Sequence, residues 1–135
     1  MITLAQYVGV WSNSKDWTDI TEANAIHLLE KVNALLDDYA QVKGIININP
    51  KTKSEVSGET GGGFRPQDYP VGASKSTHKT GQGVDIYDYN DKFKTWLMKN
   101  IELLHKHELY MEHPSFTDSW VHLQTRATKN RVFFP

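Results

Sequence analysis

Ser76-Thr77-His78-Lys79-Thr80-Gly81-Gln82-Gly83-Val84-Asp85-Ile86 passes from a polar, glycine-punctuated loop into the start of a β-branched strand. His78 leaves the loop, and Asp85 starts the strand Val84-Asp85-Ile86-Tyr87 just after Gly81 and Gly83. Upstream, Ser57 to Gly63 contains Gly58, Gly61, Gly62 and Gly63, a density that excludes regular structure. It leads into Phe64-Arg65-Pro66, where Pro66 biases Arg65 toward an extended backbone. The segment Tyr69 to Gly83 is again rich in Gly, Ser, Thr and Pro. Loops of this length inside a compact domain are often functional.

Outward from this centre the chain alternates helical and strand patterns. Asp19-Ile20-Thr21-Glu22 reads as a capping box, and behind it Ile26, Leu29, Val32 and Leu36, widened by Leu28 and Leu35, recur at helical spacing. A helix is expected from Thr21 to Ala40, followed by a short strand at Gly44-Ile45-Ile46-Asn47-Ile48 that Asn49-Pro50 ends. Asn90 is the expected cap of a second helix, buried through Phe93, Trp96, Leu97, Ile101 and Leu104. His105 and His107 fall at its C-terminal end, where the helix dipole favours a cation. Leu109-Tyr110-Met111-Glu112 and Trp120-Val121-His122-Leu123-Gln124 flank a Pro-containing connection and read as an antiparallel pair. This order gives an α+β fold, a small antiparallel sheet with helices packed on it, over one domain spanning 1–135.

Composition narrows the partners. Fifteen basic groups against 16 acidic ones give a formal charge of −1, so there is no basic field to grip a phosphate backbone, and nucleic acid is not an expected partner. With no cysteine, disulfides, thiolate metal sites and cysteine nucleophiles are excluded. Any metal must be held by imidazole and carboxylate. The first residues carry neither a basic n-region nor an apolar h-region, and no apolar run approaches the ~20 residues that span a bilayer. The expectation is a soluble monomer without a signal peptide, made in a cytoplasm.

His78, Asp85 and His122 form the candidate metal centre. Two imidazoles and one carboxylate are a normal protein ligand set for a catalytic zinc, with the fourth position left for water. A loop ligand, a ligand at a strand entry and one from a distant strand can converge on one point. In the expected strand, Val121 and Leu123 point away from the face that carries His122.

The same residues resemble the S-x-H-x-x-G-x-A/G-x-D signature of the M15 family of zinc peptidases. That family includes D-Ala-D-Ala carboxypeptidases and phage L-alanyl-D-glutamate endopeptidases and shares its fold with the hedgehog signalling domain. Trp120-Val121-His122 matches the family's second element, W-x-H, and Gly63-Phe64-Arg65-Pro66 matches the context of its upstream arginine. The three elements occur in order over Phe64 to Gln124. Trp120 to Arg126 and Arg131-Val132-Phe133-Phe134-Pro135 look like small stand-alone phage members. The resemblance implies zinc on His78, Asp85 and His122. It also implies that Arg65 faces the scissile carbonyl or a substrate carboxylate, a role suited to its fork of donors.

A general base must also take a proton from water and deliver it to the leaving amine. Some family members carry an acid three positions before the last ligand His; here that position is Ser119. Glu112, closing the preceding strand, is the preferred base over Asp118, a turn residue, with His113 a third candidate. The insertion Glu59-Thr60-Gly61-Gly62-Gly63 is longer than is usual in the family. Other motifs are missing: His107-Glu108-Leu109-Tyr110-Met111 lacks the second His of H-E-x-x-H, and Gly81-Gln82-Gly83 lacks a third glycine. A non-haem iron triad also uses two His and a carboxylate, but on a larger barrel than this chain can build. The expected activity is hydrolysis of bacterial peptidoglycan stem peptide by a phage lysin or virion component. It would be made in the infected cell and act on the wall. The alternative is a non-catalytic module that keeps the zinc and binds wall or protein.

Overall fold

The computed structural model describes residues 1–44, 46–73 and 75–135. The helices are α1 (Leu4–Val8), α2 (Asp19–Lys43), α3 (Lys92–Lys99) and α4 (Glu102–Lys106); the strands are β1 (Gly83–Tyr87), β2 (Tyr110–Glu112), β3 (Trp120–Gln124) and β4 (Val132–Phe133). The sheet order is β1-β3-β2-β4. β3 pairs antiparallel with both β1 and β2, whereas β4 adds to β2 in parallel. The fold is therefore α+β as expected, but its sheet is mixed rather than purely antiparallel. A two-residue strand has no periodicity to announce it, and the chain after β3 swings across to the outer edge of β2 before pairing.

Alternation along the strands sorts the residues. Val84, Ile86, Met111, Val121 and Leu123 are at most 1% exposed and join one hydrophobic cluster with Ala25, Leu28, Val32, Leu35 and Leu36 of α2. Asp85, His122 and Gln124 take the other face. The buried face of α2 runs Thr21, Ala25, Leu28, Val32, Leu35, Tyr39, so its centre lies to one side of the expected stripe, and Ile26 is 53% exposed.

The caps differ by one or two residues from the expected ones. Thr18, not Asp19, caps α2, its hydroxyl accepting from the Thr21 amide at 3.3 Å. Asp19 and Glu22 instead sit in the first turn, where the dipole favours them. The helix runs on to Lys43 and stops at Gly44, whose φ of +89° is left-handed backbone that glycine adopts without strain. Of the expected strand at 44–48, Ile45 lies outside the described residues; Gly44 serves as the cap, and 46–48 pair with no strand. The second expected helix is two. Asn100 interrupts it, its side chain donating to the Trp96 carbonyl at 2.8 Å, which competes with the helical ladder. His107, just past α4, meets Asp38 of α2 at 2.6 Å, and that hydrogen bond holds the Asp38 carboxyl below its ordinary range.

Asn90 does not cap α3 alone. The buried Asp88 carboxylate accepts from the amides of Phe93 at 3.0 Å and Lys94 at 2.9 Å, while Asn90 Oδ1 accepts from the Lys92 amide at 3.3 Å and from Asn47 Nδ2 at 2.9 Å. Removing the carboxylate strands two helix-start donors. Asp88→Ala should lower unfolding free energy by about 1–2 kcal/mol in urea titration. An unchanged midpoint would mean that α3 is held without this cap.

Candidate metal centre

The β1–β3 register places Asp85 directly opposite His122. His78 reaches them from a loop that is fastened on two sides. Its backbone carbonyl accepts from the Arg65 amide at 3.1 Å, and Asn24 of α2 donates to the Thr80 carbonyl at 2.9 Å. Two glycines let the segments close up. A Cβ at Gly83 would stand 2.2 Å from Thr77 Oγ1 and 3.0 Å from His122 Cε1, and one at Gly63 would stand 2.0 Å from the Tyr7 carbonyl oxygen. The segment before Gly63 runs along the free edge of β1: Asp85 donates to the Gly62 carbonyl at 2.7 Å, and Ser57 donates to the Asp85 carbonyl at 2.8 Å. That cover buries a face which alternation alone would leave open.

Asp85 Oδ1 lies 2.8 Å from His122 Nδ1 and 3.2 Å from His78 Nε2; Oδ2 lies 3.3 Å from Arg65 Nη2. All three of His78, Asp85 and His122 are buried, and one ligand atom from each falls within 4.8 Å of the others. The far nitrogen of each ring is already engaged. His78 Nδ1 donates to the Gly63 carbonyl at 2.8 Å, and His122 Nε2 meets Gln124 Oε1 at 2.9 Å. A neutral His78 therefore turns its Nε2 lone pair toward Asp85, and a neutral His122 that carries its proton on Nε2 does the same through Nδ1. Three acceptors facing one another need a cation between them, supplied either by protons or by a metal ion. The donor set fits a divalent metal, and this group can bind one.

The charge balance without metal follows from the same contacts. Burial opposes ionisation of Asp85, yet the two imidazoles outweigh it and hold the carboxyl far below its usual range. Burial likewise opposes a charged His122, and the Asp85 hydrogen bond and charge reverse this, leaving its pKa raised. Beneath the site the Tyr7 hydroxyl donates to the Gly83 carbonyl at 2.8 Å, and burial keeps it protonated.

The centre opens into a cleft of about 580 Å³ whose walls include Arg65, Lys75, Glu112, Trp120, Arg126 and Phe133. Continuing the β2–β3 register by one residue sets Glu112 opposite His122, on the same face. Burial raises the Glu112 pKa, His122 opposes the rise, and Asp85 adds to it. Asp118 is exposed in the bend before β3 and is not part of the cleft wall. His113 turns away, accepting from the Ser115 amide at 3.1 Å and stacking on Phe134. Ser119 has a φ of +72° and gives its carbonyl to the Asp88 amide, so its place belongs to the turn. Arg65 is more committed than expected: besides Asp85, its Nε donates to the Gly61 carbonyl at 2.6 Å, and its guanidinium lies 5.5 Å from the Tyr69 ring centre. Sequence reading passed over Gln124 and Thr77. Gln124 was accessible to it, since a residue two past His122 on a strand shares its face.

No family model, no curated protein and no solved structure matches the chain. Among the described residues no helix is long and apolar enough to cross a membrane.

Protons and metal compete for this centre, which fixes the sign of a pH effect. The stabilisation from the raised His122 pKa is complete below the unfolded value of ~6.5 and is lost as pH rises through the folded value. That from Asp85 is present above ~3.9 and is lost only as pH falls through its depressed folded value. Metal-free protein should thus lose stability toward alkaline pH. The rise in Tm on adding one equivalent of a divalent ion such as Zn²⁺ should grow between about pH 5.5 and pH 8. His122→Ala should abolish that rise; an equal rise in the variant would place the metal elsewhere.

Proposed function

We propose that the chain is a zinc peptidase of the family its motifs resemble, acting on peptide bonds of bacterial peptidoglycan stem peptides. The observation that carries the reading is the convergence of His78, Asp85 and His122 at the floor of a cleft, with Glu112 opposite His122. His78, Asp85 and His122 would hold the zinc, which when bound would supply a Lewis acid for the scissile carbonyl and lower the pKa of water to near neutrality.

Glu112 takes a proton from the attacking water and returns it to the leaving amine, so the amide is exchanged for a carboxylate and an amine. Its half-buried place and raised pKa suit a group that must both accept and give a proton. Arg65 serves twice. Nη2 steadies the outer oxygen of Asp85, and the rest of the guanidinium, which lines the cleft, meets charge developing on the carbonyl or a substrate carboxylate. In this reading the protein is a phage lysin or virion component made in an infected bacterium. Its action on the wall then follows release.

One pair of variants tests the assignment on purified peptidoglycan, with new termini followed by mass spectrometry. Glu112→Gln should bind zinc normally and lose about 10²–10⁴-fold in rate, while Asp118→Asn loses little. The reverse pattern would transfer the role to Asp118. If wild type binds zinc and cleaves nothing, the non-catalytic wall- or protein-binding module becomes the better reading.

Arg65→Lys should keep zinc bound and depress turnover, because an ammonium cannot hold Asp85 and a second oxygen through one planar fork. Wild-type turnover by that variant would reduce Arg65 to a loop residue.

A further inference from the structure

Gln124 is 5% exposed and has both ends of its amide occupied. Its Nε2 donates to the Arg126 carbonyl at 2.8 Å, and its Oε1 faces His122 Nε2 at 2.9 Å, with Thr77 Oγ1 3.5 Å away. A carbonyl can only accept, so the Arg126 contact fixes which end of the amide faces the ring. Flipping Gln124 would set oxygen against oxygen at Arg126. With Oε1 toward it, His122 satisfies this contact only with its proton on Nε2; the Thr77 hydroxyl, 3.4 Å from the same nitrogen, is the one competing donor among these contacts.

That choice has a consequence at Asp85. Without metal, a neutral His122 would gain most by protonating Nδ1 and donating to Asp85 Oδ1. The fixed amide opposes this, since Nε2 would then present a lone pair to Oε1. We infer that Gln124 is a positioning residue that selects the His122 tautomer and so reserves Nδ1 as a metal ligand.

Arg126 extends the device to the other imidazole. Its guanidinium donates to the Lys75 carbonyl at 2.6 Å, to Thr80 Oγ1 at 2.9 Å and to Gln82 Oε1 at 3.1 Å. These residues flank His78. One residue thus orients Gln124 through its carbonyl and anchors the His78 loop through its side chain.

The inference rests on the metal-site reading but fails separately from it. Long-range proton–nitrogen NMR of zinc-loaded wild type should show His122 Nε2 protonated and Nδ1 metal-bound; the opposite assignment overturns the proposal. Gln124→Met should lower zinc affinity, measured by chelator competition, about 10–100-fold and move the metal-free ring toward the Nδ1–H form. Gln124→Glu still accepts from Nε2–H, although it sets an oxygen against the Arg126 carbonyl, and should keep the Nε2–H tautomer. Unchanged affinity and tautomer in Gln124→Met, or an Nδ1–H ring in Gln124→Glu, would overturn it. If wild type holds no zinc, the metal reading falls. The tautomer of the neutral ring at alkaline pH then still decides on Gln124: Nε2–H supports the inference, and Nδ1–H overturns it.

Discussion

A buried carboxylate set between two imidazole nitrogens is the constraint around which this structure is arranged. Asp85 Oδ1 is within 3.2 Å of both His122 and His78, and Arg65 meets only the outer oxygen. In a poorly solvated interior such a cluster cannot stay uncompensated; the unpaired charge would cost more than the surrounding contacts return. The fold's answer is to leave a place for a cation and to hold every surrounding group still. His78 is held by Gly63, His122 by Gln124, and the backbone of Asp85 by Gly62 and Ser57.

The sheet provides the geometry with few residues. Direct pairing across β1 and β3 makes Asp85 and His122 neighbours whatever the loops do, and the β2–β3 register adds Glu112 to the same face. The remaining imidazole, His78, needs a loop that can approach a strand closely, which accounts for the glycines. At Gly83 any side chain would occupy the space of Thr77 and His122. The glycine-rich segment at 57–63 both covers the edge of β1 and supplies the carbonyl that orients His78. A surface loop and an ordered wall of the site are here the same residues.

Much of this was legible in the sequence because it depends on local periodicity and on side-chain chemistry. The long helix, β1, β2 and β3 follow from apolar patterns, and the absence of cysteine left imidazole and carboxylate as the only metal ligands. What the sequence concealed depends on partners distant along the chain. The parallel edge strand at Val132–Phe133 is too short to show a period, and Ile46 and Ile48, β-branched as they are, find no strand to pair with among the described residues. Asp88 capping α3 from outside, and Asn100 dividing one amphipathic pattern into two helices, are decided by side-chain hydrogen bonds. Arg65 was legible as a member of the site, but its engagement with Asp85 and Gly61 emerges only in three dimensions.

The cleft adds a functional reading to the electrostatic one. With a divalent ion in place, the charge of Asp85 would be compensated, and the wall would retain Arg65, Lys75 and Arg126 against Glu112, a net positive lining. All of it depends on one claim, that the three side chains share a metal. X-ray absorption at the zinc edge on protein loaded with one equivalent of zinc tests that claim most directly. The account predicts a four-coordinate shell with two imidazole nitrogens at about 2.0–2.1 Å and a carboxylate oxygen at about 2.0–2.2 Å. A shell without imidazole, or one that keeps both imidazoles after His78→Ala and His122→Ala are introduced together, would contradict it.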